Sequence, residues 1–437
     1  MNLARHLSLL SWAVAAKTPV FVYGLVVVLI MIPNLPQAEF GIYSLVFQFF
    51  IIISLFIKFL VLHPMIKYAS PNNDFSRYVR TGIFLSAMLY IIIGVAVWLS
   101  APLSAKILRI SIQEIRFVPL LMLAIFFREV GFSIQQIRLR TKRLFFLETL
   151  YYIGSSIGLI FLYASGNLTS AQTALKVNII AAGCASVLAL LFGFDEARLI
   201  RILRIKELVD LLQYGWRTLG IGLSALLING MDILLIGAIY TPIEVAIYTG
   251  AKKVYQMISA ITQAASLIIM PYASRLAAEM KKLELRAAYE KAIGYFCSGI
   301  IPILLVGWAM AGIVYPRLLE GEYKDSTPIF RFMLLGAPFE IIFTLAGNFL
   351  YGVGAVGVVA KISLSGLGLW AILAYVLIKM LAFGGLGAAG ALVGVMIFTG
   401  IAMHIKAADK FETNFLLIFR RLIRTTADMV KNRSGRK

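Results

Sequence analysis

Long stretches without any charged residue recur along almost the whole of this chain. Ten such runs occupy residues 18–38, 40–57, 81–105, 149–175, 177–194, 254–274, 292–316, 341–360, 362–378 and 380–405. At a rise of about 1.5 Å per residue, most of them are long enough to cross a hydrocarbon core about 30 Å thick. A soluble domain could not bury the apolar surface of a chain that is 60% hydrophobic and 14% charged. The sequence therefore predicts a multi-pass membrane protein.

Two further hydrophobic spans, 117–137 and 211–239, carry charges inside them. Together with the uncharged runs they predict an all-α membrane protein with twelve transmembrane helices. The first run has membrane length and no small-residue cleavage motif follows it, so we expect it to be retained as a helix. Cys184 and Cys297 both lie inside hydrophobic spans and are interpreted as packing residues, not as a disulfide or a metal pair.

The basic residues behind the net charge of +20 lie mostly on one side of the predicted membrane helices. If the N-terminus is cytoplasmic, 27 Lys and Arg residues lie on that side, five lie in the opposite loops and nine lie within the predicted spans. This positive-inside bias predicts a protein of the inner or plasma membrane with both termini in the cytoplasm. The basic charge is thus explained without a nucleic-acid partner.

Enzymatic and nucleotide-dependent functions find little support in the sequence. The chain has no Walker A motif, and its external loops are too short to form a soluble domain. The motifs GVGAVG (352–357) and GLGAAG (385–390) lie at helix junctions, so close helix packing explains them better than a dinucleotide site. An external acidic cluster (Glu320, Glu322 and Asp325) is interpreted as a solvated turn and not as the carboxylates of a glycosyltransferase or polymerase. We therefore predict a protein without cofactor or metal that is not an enzyme.

A hexapeptide occurs twice, as EFGIYS at 39–44 and as EVAIYT at 244–249. Each copy begins in a short external loop after an apolar helix and runs into a helix that meets a proline, Pro64 or Pro271, at its cytoplasmic end. Six predicted helices separate the copies, so both halves have the same orientation. They are predicted to form two six-helix bundles related by a pseudo-two-fold axis along the membrane normal, the architecture of an alternating-access carrier.

The predicted domain organisation follows from this repeat. Residues 1–194 form the first bundle, 195–210 a cytoplasmic amphipathic linker, 211–405 the second bundle and 406–437 a basic cytoplasmic tail. Within the tail, the segment 411–431 alternates Phe, Leu and Ile with Arg in helical spacing, which is typical of a helix lying on anionic membrane lipids.

The sequence resembles the multidrug/oligosaccharidyl-lipid/polysaccharide exporter superfamily, and within it the Wzx-type oligosaccharide repeat-unit flippases. The resemblance is carried by EFGIYS, by LLQYGWRTLGIGLSALLINGMDILLIGAIYTPIEVAIYTGAKKV at 211–254 and by IIMPYASRLAAE at 268–279. The chain departs from the family at Ala246, where glycine is usual, whereas the first copy keeps Gly41.

The resemblance implies a flippase that moves a polyprenyl-pyrophosphate-linked oligosaccharide to the outer leaflet for O-antigen, capsule or exopolysaccharide. Its expected partners are the lipid-linked substrate, membrane lipids and the polysaccharide polymerase machinery. The alternative is a cation-coupled multidrug exporter of the same superfamily, whose cavity should be acidic or aromatic. The excess of basic over acidic residues within the spans favours the flippase.

Charged residues within the spans are the candidate site residues, because each needs a partner or a wet cavity. For contact with an anionic head group we select Arg128, Arg217, Lys253, Lys17 and Lys252. Lys252 and Lys253 point about 100° apart on a helix, so we expect one to face the cavity while the other pairs elsewhere. Anchoring at the lipid headgroups is predicted for the basic residues nearest helix ends, which are Lys58, Lys176, Arg331 and Lys379.

Three carboxylates complete the candidate site. Glu129 follows Arg128, and since adjacent helical residues do not face each other, we expect it to pair with a different cation. Asp232 occupies the acidic position that the family has on its seventh helix, and it serves either ion coupling or a gate-type ion pair. Glu340 is interpreted as structural.

Overall fold

The structure is a computed structural model that describes residue 12 and residues 15–69, 75–197, 205–318 and 323–414. All regular structure in these residues is helical. The helices are α1 (Thr18–Val26), α2 (Ile32–Asn34), α3 (Gln37–Ile57), α4 (His63–Tyr68), α5 (Phe75–Leu99), α6 (Ala101–Leu108), α7 (Ile112–Ile115), α8 (Phe117–Ile137), α9 (Thr141–Ala164), α10 (Ala171–Ala197), α11 (Ile205–Ile239), α12 (Pro242–Ala278), α13 (Lys282–Leu318), α14 (Ser326–Gly352), α15 (Val356–Ala374) and α16 (Gly384–Phe411).

Nine helical stretches in the described part of the chain are long and apolar enough to cross a membrane. Two shorter apolar helices, Thr18–Asn34 and Gly230–Ile239, accompany them. The multi-pass membrane character predicted from the sequence is thereby supported, while the number of twelve helices stays a prediction.

Three π-helical segments interrupt the α-helices, and two of them end two residues before a proline. The segment Val27–Met31 leads into Pro33, and Lys58–Leu62 leads into Pro64. Proline lacks an N–H and its ring clashes with the carbonyl four residues before it, so the regular hydrogen-bond ladder cannot continue there. The wider π-turn absorbs this mismatch. The third segment, Tyr375–Met380, lies at the end of its helix.

Two compact units are distinguished by their internal contacts: Met1–Lys253 with Pro316–Ser326, and Val254–Tyr315 with Thr327–Lys437. The division of the chain into bundles at 1–194 and 211–405 stays a prediction. Part of the linker, 198–204, and most of the amphipathic tail segment, 415–431, lie outside the described residues, whereas 195–197 end α10 and 205–210 begin α11. Glu320 and Glu322 also lie outside them, whereas Asp325 is exposed.

Within the first unit, α11 lies antiparallel against the helical stretch Gln37–Tyr68. Four glycines of α11, spaced seven or eight residues apart, face this stretch so closely that an added Cβ would lie 1.9–2.5 Å from it. This glycine seam comprises Gly215 against Leu60, Gly222 against Phe59, Gly230 against Gln48 and Gly237 against Leu45. Small residues at such a contact let two membrane helices approach along their length and gain van der Waals contact.

The first hexapeptide copy connects the beginning of α3 with α10 and α12. The Glu39 carboxylate accepts a hydrogen bond of 2.7 Å from the backbone N–H of Ala171, at the first turn of α10. An anionic group is favoured there by the exposed N–H groups and dipole of the helix. Gly41 lies against Pro242, whose carbonyl oxygen would be 1.8 Å from an added Cβ. The glutamate and the glycine of the first hexapeptide copy therefore have separate structural uses.

We expect Gly41→Ala to lower the free energy of unfolding by about 1–3 kcal/mol, because backbone on both sides of the contact must move apart. The matched control is Gly24→Ala, since an added Cβ at Gly24 meets nothing within 4 Å. Unfolding followed in detergent should show a loss for the first variant and a neutral or slightly stabilising effect for the second. Equal behaviour of the two variants would contradict the close approach.

The second unit has its own core, centred on Tyr289. The Tyr289 ring lies 5.4 Å from the ring of Phe349 and 5.1 Å from that of Phe411, and its hydroxyl is 2.8 Å from Nδ1 of His404. These contacts connect α13, α14 and α16. A buried tyrosine with a partner for its hydroxyl can serve as an aromatic core residue without an energetic penalty.

The glycine-rich motifs of the second unit pack helices together at some of their glycines, whereas an added Cβ at Gly354 or Gly357 would meet nothing within 4 Å. An added Cβ at Gly352 would lie 2.7 Å from Cβ of Ala273, and one at Gly387 would lie 2.6 Å from the carbonyl oxygen of Leu377. Gly354 instead has a φ of +78°, which a turn between α14 and α15 requires. Close packing is confirmed at Gly352 and Gly387.

The prediction that Cys184 is a packing residue is wrong. Its side chain is exposed on α10 and is a free thiol. A membrane helix can be apolar on all sides, so a hydrophobic run does not by itself tell which face is turned inward. The side chain of Cys297 lies outside the described part of the structure.

Candidate functional site

A cluster of four charged side chains lies buried in the first unit. We call Lys58, Arg128, Glu129 and Glu148 the four-charge cluster; they belong to the π-segment after α3, to α8 and to α9. Nη2 of Arg128 lies 2.6 Å from Oε2 of Glu148, and Nη1 of Arg128 contacts Glu129. Nζ of Lys58 lies 3.1 Å from the second oxygen of Glu129. Two cations and two carboxylates balance, so the cluster avoids the cost of an isolated charge in the membrane.

Aromatic rings surround these cations. The guanidinium carbon of Arg128 lies 4.8 Å from the ring centroid of Tyr151 and 5.6 Å from that of Tyr152. The ammonium of Lys58 lies 5.3 Å from the ring centroid of Phe132. Ring faces attract cations most strongly where water is excluded, and Arg128 is only 4% exposed.

One donor of the Arg128 guanidinium is not used by the protein. Its Nε is buried and has no hydrogen-bond partner among the described residues. Leaving a buried donor unsatisfied costs about 1–3 kcal/mol, more when the group is charged. Arg128 therefore combines two carboxylate partners with one N–H that can still donate to an anionic oxygen.

The expectation that Glu129 pairs with a cation other than Arg128 is only half correct. Glu129 contacts Lys58, but it also contacts Arg128, its immediate neighbour on α8. The arginine side chain is long enough to bend back toward the adjacent carboxylate, so helical spacing does not exclude this pair. Lys58 is likewise not a headgroup anchor, because its side chain is 24% exposed and its ammonium binds Glu129.

A second buried pair joins α11 and α12. Nζ of Lys252 lies 2.5 Å from Oδ2 of Asp232, whose side chain is fully buried. Tyr248 donates its hydroxyl to the same oxygen, and the backbone N–H of Ile233 donates to the other oxygen at 2.8 Å. Asp232 is thus a carboxylate held by an ammonium, a hydroxyl and a backbone amide. This arrangement suits a gate-type ion pair, and ion coupling through Asp232 stays a prediction.

The two hexapeptide copies use their tyrosine in a comparable way. Tyr248 binds Asp232 on the helix before it, and Tyr43 binds the hydroxyl of Tyr23, also on the preceding helix, at 2.6 Å. Asn178 accepts from Tyr23 at 3.0 Å, and its amide lies 3.3 Å from the Tyr43 oxygen. The repeated tyrosine therefore fixes a helix pair in each copy, with a neutral partner in the first and a charged one in the second.

Lys253 differs from its neighbour. Lys252 is 2% exposed and bound to Asp232, whereas Lys253 is half-buried. No carboxylate of the described residues lies within 4.0 Å of the Lys253 ammonium. The prediction that one of the two lysines pairs elsewhere is confirmed, with Lys252 as the paired one.

The remaining candidates are dispersed. Lys17 is exposed just before α1, and the side chain of Arg217 lies outside the described part of the structure. Glu340, in the second unit, accepts a hydrogen bond from the hydroxyl of Tyr255. The roles of Arg128, Arg217, Lys253, Lys17 and Lys252 in binding, and of Asp232, Glu129 and Glu340 in coupling or gating, stay predictions.

Several members of these clusters were not selected from the sequence. Glu148 could have been selected, because it is a carboxylate near a hydrophobic span. Tyr248 had a signal in the repeated hexapeptide 244–249. Tyr23 gives none, since tyrosine is common in membrane helices as an interfacial residue.

The comparisons with known proteins agree with this helical architecture. Residues 35–328 match the model of a family described as polysaccharide biosynthesis protein. No curated protein matches the sequence at a significant level. Among solved structures, an inward-facing multidrug resistance MATE family transporter of the MOP superfamily superposes with a TM-score of 0.73 at 14% identity, covering 93% of this chain and 94% of that chain.

Two further structures are similar. The lipid II flippase MurJ in an inward closed conformation superposes with a TM-score of 0.72 at 12% identity, covering 94% of this chain and 89% of that chain. A MOP superfamily transporter from Pyrococcus furiosus, described by a reversed polarity of its binding pocket, gives 0.57 at 14% identity, with 92% and 94% covered. At such identities the likeness establishes the fold. The predicted all-α membrane fold built from helical bundles is confirmed, and the two-fold relation between the bundles stays a prediction.

Proposed function

This protein belongs to the polysaccharide biosynthesis protein family and has the fold of MOP-superfamily transporters, and from this premise we propose that it flips polyprenyl-pyrophosphate-linked oligosaccharide repeat units across the membrane. It is a transporter and not an enzyme. In this proposal the substrate moves from the cytoplasmic to the outer leaflet of the inner or plasma membrane by alternating access. The product serves O-antigen, capsule or exopolysaccharide synthesis, with both termini of the protein in the cytoplasm.

The observation that carries the proposal is the Lys253 ammonium. It is half-buried within α12, and no carboxylate of the described residues lies within 4.0 Å of it. A cation kept in a membrane helix without a carboxylate is costly, and such residues mark the pathways of charged substrates. A pyrophosphate is an anion that would offset this cost. The unused Nε–H of Arg128 offers a second contact of the same kind.

Energy for the movement comes in this proposal from the membrane potential or an ion gradient. The chain has no Walker A motif that would hold a nucleotide phosphate. The Asp232–Lys252 pair is the candidate element that an ion or the substrate would rearrange. The alternative function, export of cationic drugs, fits the MATE neighbour. It requires a substrate cavity in which anionic groups outnumber cationic ones. The carboxylates at both buried clusters are instead already bound to cations.

We expect Lys253→Gln to lower the flipping rate by roughly 10- to 100-fold, which corresponds to the loss of one charge-assisted contact. Lys253→Arg should retain most of the rate because the charge remains. The control is Lys176→Gln, which removes an exposed lysine from α10. The measurement is the amount of surface polysaccharide restored in a strain that lacks the gene, at matched protein levels.

The proposed function itself is tested by analysing the polyprenyl-linked lipids of the deletion strain by mass spectrometry, together with drug susceptibility. We expect an oligosaccharide repeat unit to accumulate on its lipid carrier while surface polysaccharide is lost. Unchanged lipid intermediates combined with greater drug sensitivity would overturn the flippase and support the multidrug exporter.

A further inference from the structure

A second set of contacts joins α11 to the first part of the chain, at the end of the glycine seam where Gly215 meets Leu60. The Tyr78 hydroxyl donates to Oδ2 of Asp210 at 2.9 Å, across 132 residues of sequence. The Lys67 ammonium lies 3.5 Å from the ring centroid of Tyr214. The ring of Tyr68 lies between these two contacts, 5.2 Å from the centroid of Tyr78 and 5.8 Å from that of Tyr214.

These five side chains differ in kind from the seam beside them. The seam is formed by glycines packed against backbone and side-chain atoms, which leaves no space for water. The Tyr78 and Asp210 side chains at its end are only partly buried and Lys67 is exposed, so water can replace their contacts if the helix ends separate. A contact that exchanges with water costs little free energy to break. The glycine seam can therefore stay packed while the polar contacts at its end separate.

In the predicted topology these contacts lie at the cytoplasmic ends of the membrane helices. Lys67, Tyr68 and Tyr78 lie between the second and third predicted helices. Asp210 ends the predicted linker and Tyr214 lies at the beginning of the seventh helix, so all five are on the side where the positive charges place the cytoplasm. They therefore bridge the first and second halves of the chain at the leaflet from which a flippase would load its substrate.

We propose that Lys67, Tyr68, Tyr78, Asp210 and Tyr214 form a latch that closes the cytoplasmic end of the carrier and has to release before substrate enters. The need for release rests on the proposed function, whereas the latch contact does not. Gly215 is part of the device, because its missing side chain lets the Leu60 carbonyl approach and brings the neighbouring Tyr214 to Lys67.

The latch is tested by cross-linking in a background where Cys184 and Cys297 are replaced by serine. Lys67→Cys and Tyr214→Cys are joined with a short bifunctional thiol reagent, which leaves the Tyr78–Asp210 hydrogen bond in place. We expect efficient cross-linking, and roughly tenfold slower cross-linking when Tyr78→Phe removes the hydroxyl, since a hydrogen bond to a carboxylate is worth about that factor. Tyr163→Phe, at an exposed tyrosine of α9, is the control and should leave the rate unchanged.

The functional arm uses the same cysteine pair. Cross-linked protein should fail to restore surface polysaccharide, and a reducible linker should give the function back on reduction. Cross-linking that leaves polysaccharide export intact, or a rate that does not respond to Tyr78→Phe, would overturn the latch. If deletion of the gene causes no accumulation of lipid-linked oligosaccharide, the proposed function fails. The cross-linking rates still decide whether the latch exists.

Discussion

Replacing Arg128 with leucine is expected to lower the free energy of unfolding by about 3–5 kcal/mol, the typical cost of removing one partner from a buried charge network. The reason is the sharing of partners in the four-charge cluster. Glu129 would keep Lys58, 3.1 Å away, but Glu148 would lose the guanidinium that lies 2.6 Å from its carboxylate. An uncompensated carboxylate would then remain in an environment that stabilises it poorly.

The double variant Arg128→Leu, Glu148→Leu is the informative control for that experiment. It removes one cation and one anion and leaves the Lys58–Glu129 pair balanced. We expect it to recover most of the lost stability, because a buried ion pair can be replaced by apolar residues at little cost. The measurement is unfolding in mixed micelles. A loss below about 1 kcal/mol for Arg128→Leu alone would show that the cluster is hydrated, in contrast to its burial here.

The second large effect is expected at Asp232. Asp232→Asn removes the negative charge 2.5 Å from the Lys252 ammonium and also weakens the acceptor of the Tyr248 hydroxyl. A fully buried pair of this kind should again cost about 3–5 kcal/mol when one charge is removed. We also expect export of surface polysaccharide to fall by at least tenfold in cells, measured at matched protein levels.

The pair variant Asp232→Asn, Lys252→Met separates two roles for this site. Stability should return in the pair variant, because no unbalanced charge is left in the membrane. If the pair is a gate or couples an ion, export stays low although the protein is stable. Recovery of export together with stability would show that the Asp232–Lys252 pair is structural only.

Both clusters show how far reasoning from the sequence reaches. That Arg128, Asp232 and Lys252 needed partners followed from their position in hydrophobic spans, since a charge there is costly whatever the fold. Which partner each would find did not follow. The sequence predicted that Lys58, near a helix end, extends to the headgroups, yet Glu129 of another helix is close enough to bind it.

The glycines give the opposite lesson. A glycine in a membrane helix can serve a turn, a kink or a close contact, and sequence spacing alone does not distinguish these uses. Gly41 and Gly230 lie at contacts that an added Cβ would block, whereas an added Cβ at Gly24 or Gly183 would meet nothing within 4 Å. The difference depends on what faces each residue from a distant part of the chain.

The sequence by itself determined that this protein lies in a membrane, that it is helical and which family it belongs to. A bilayer demands long apolar helices, and the hexapeptide repeat is visible in the sequence. It also determined which side chains would be problematic in that solvent. Only the tertiary structure decided that Arg128 is paired with Glu129 and Glu148, while Lys253 has no carboxylate of the described residues within 4.0 Å. The physical reason is that pairing energies fall off within a few ångströms, so they depend on distances between helices that no local pattern encodes.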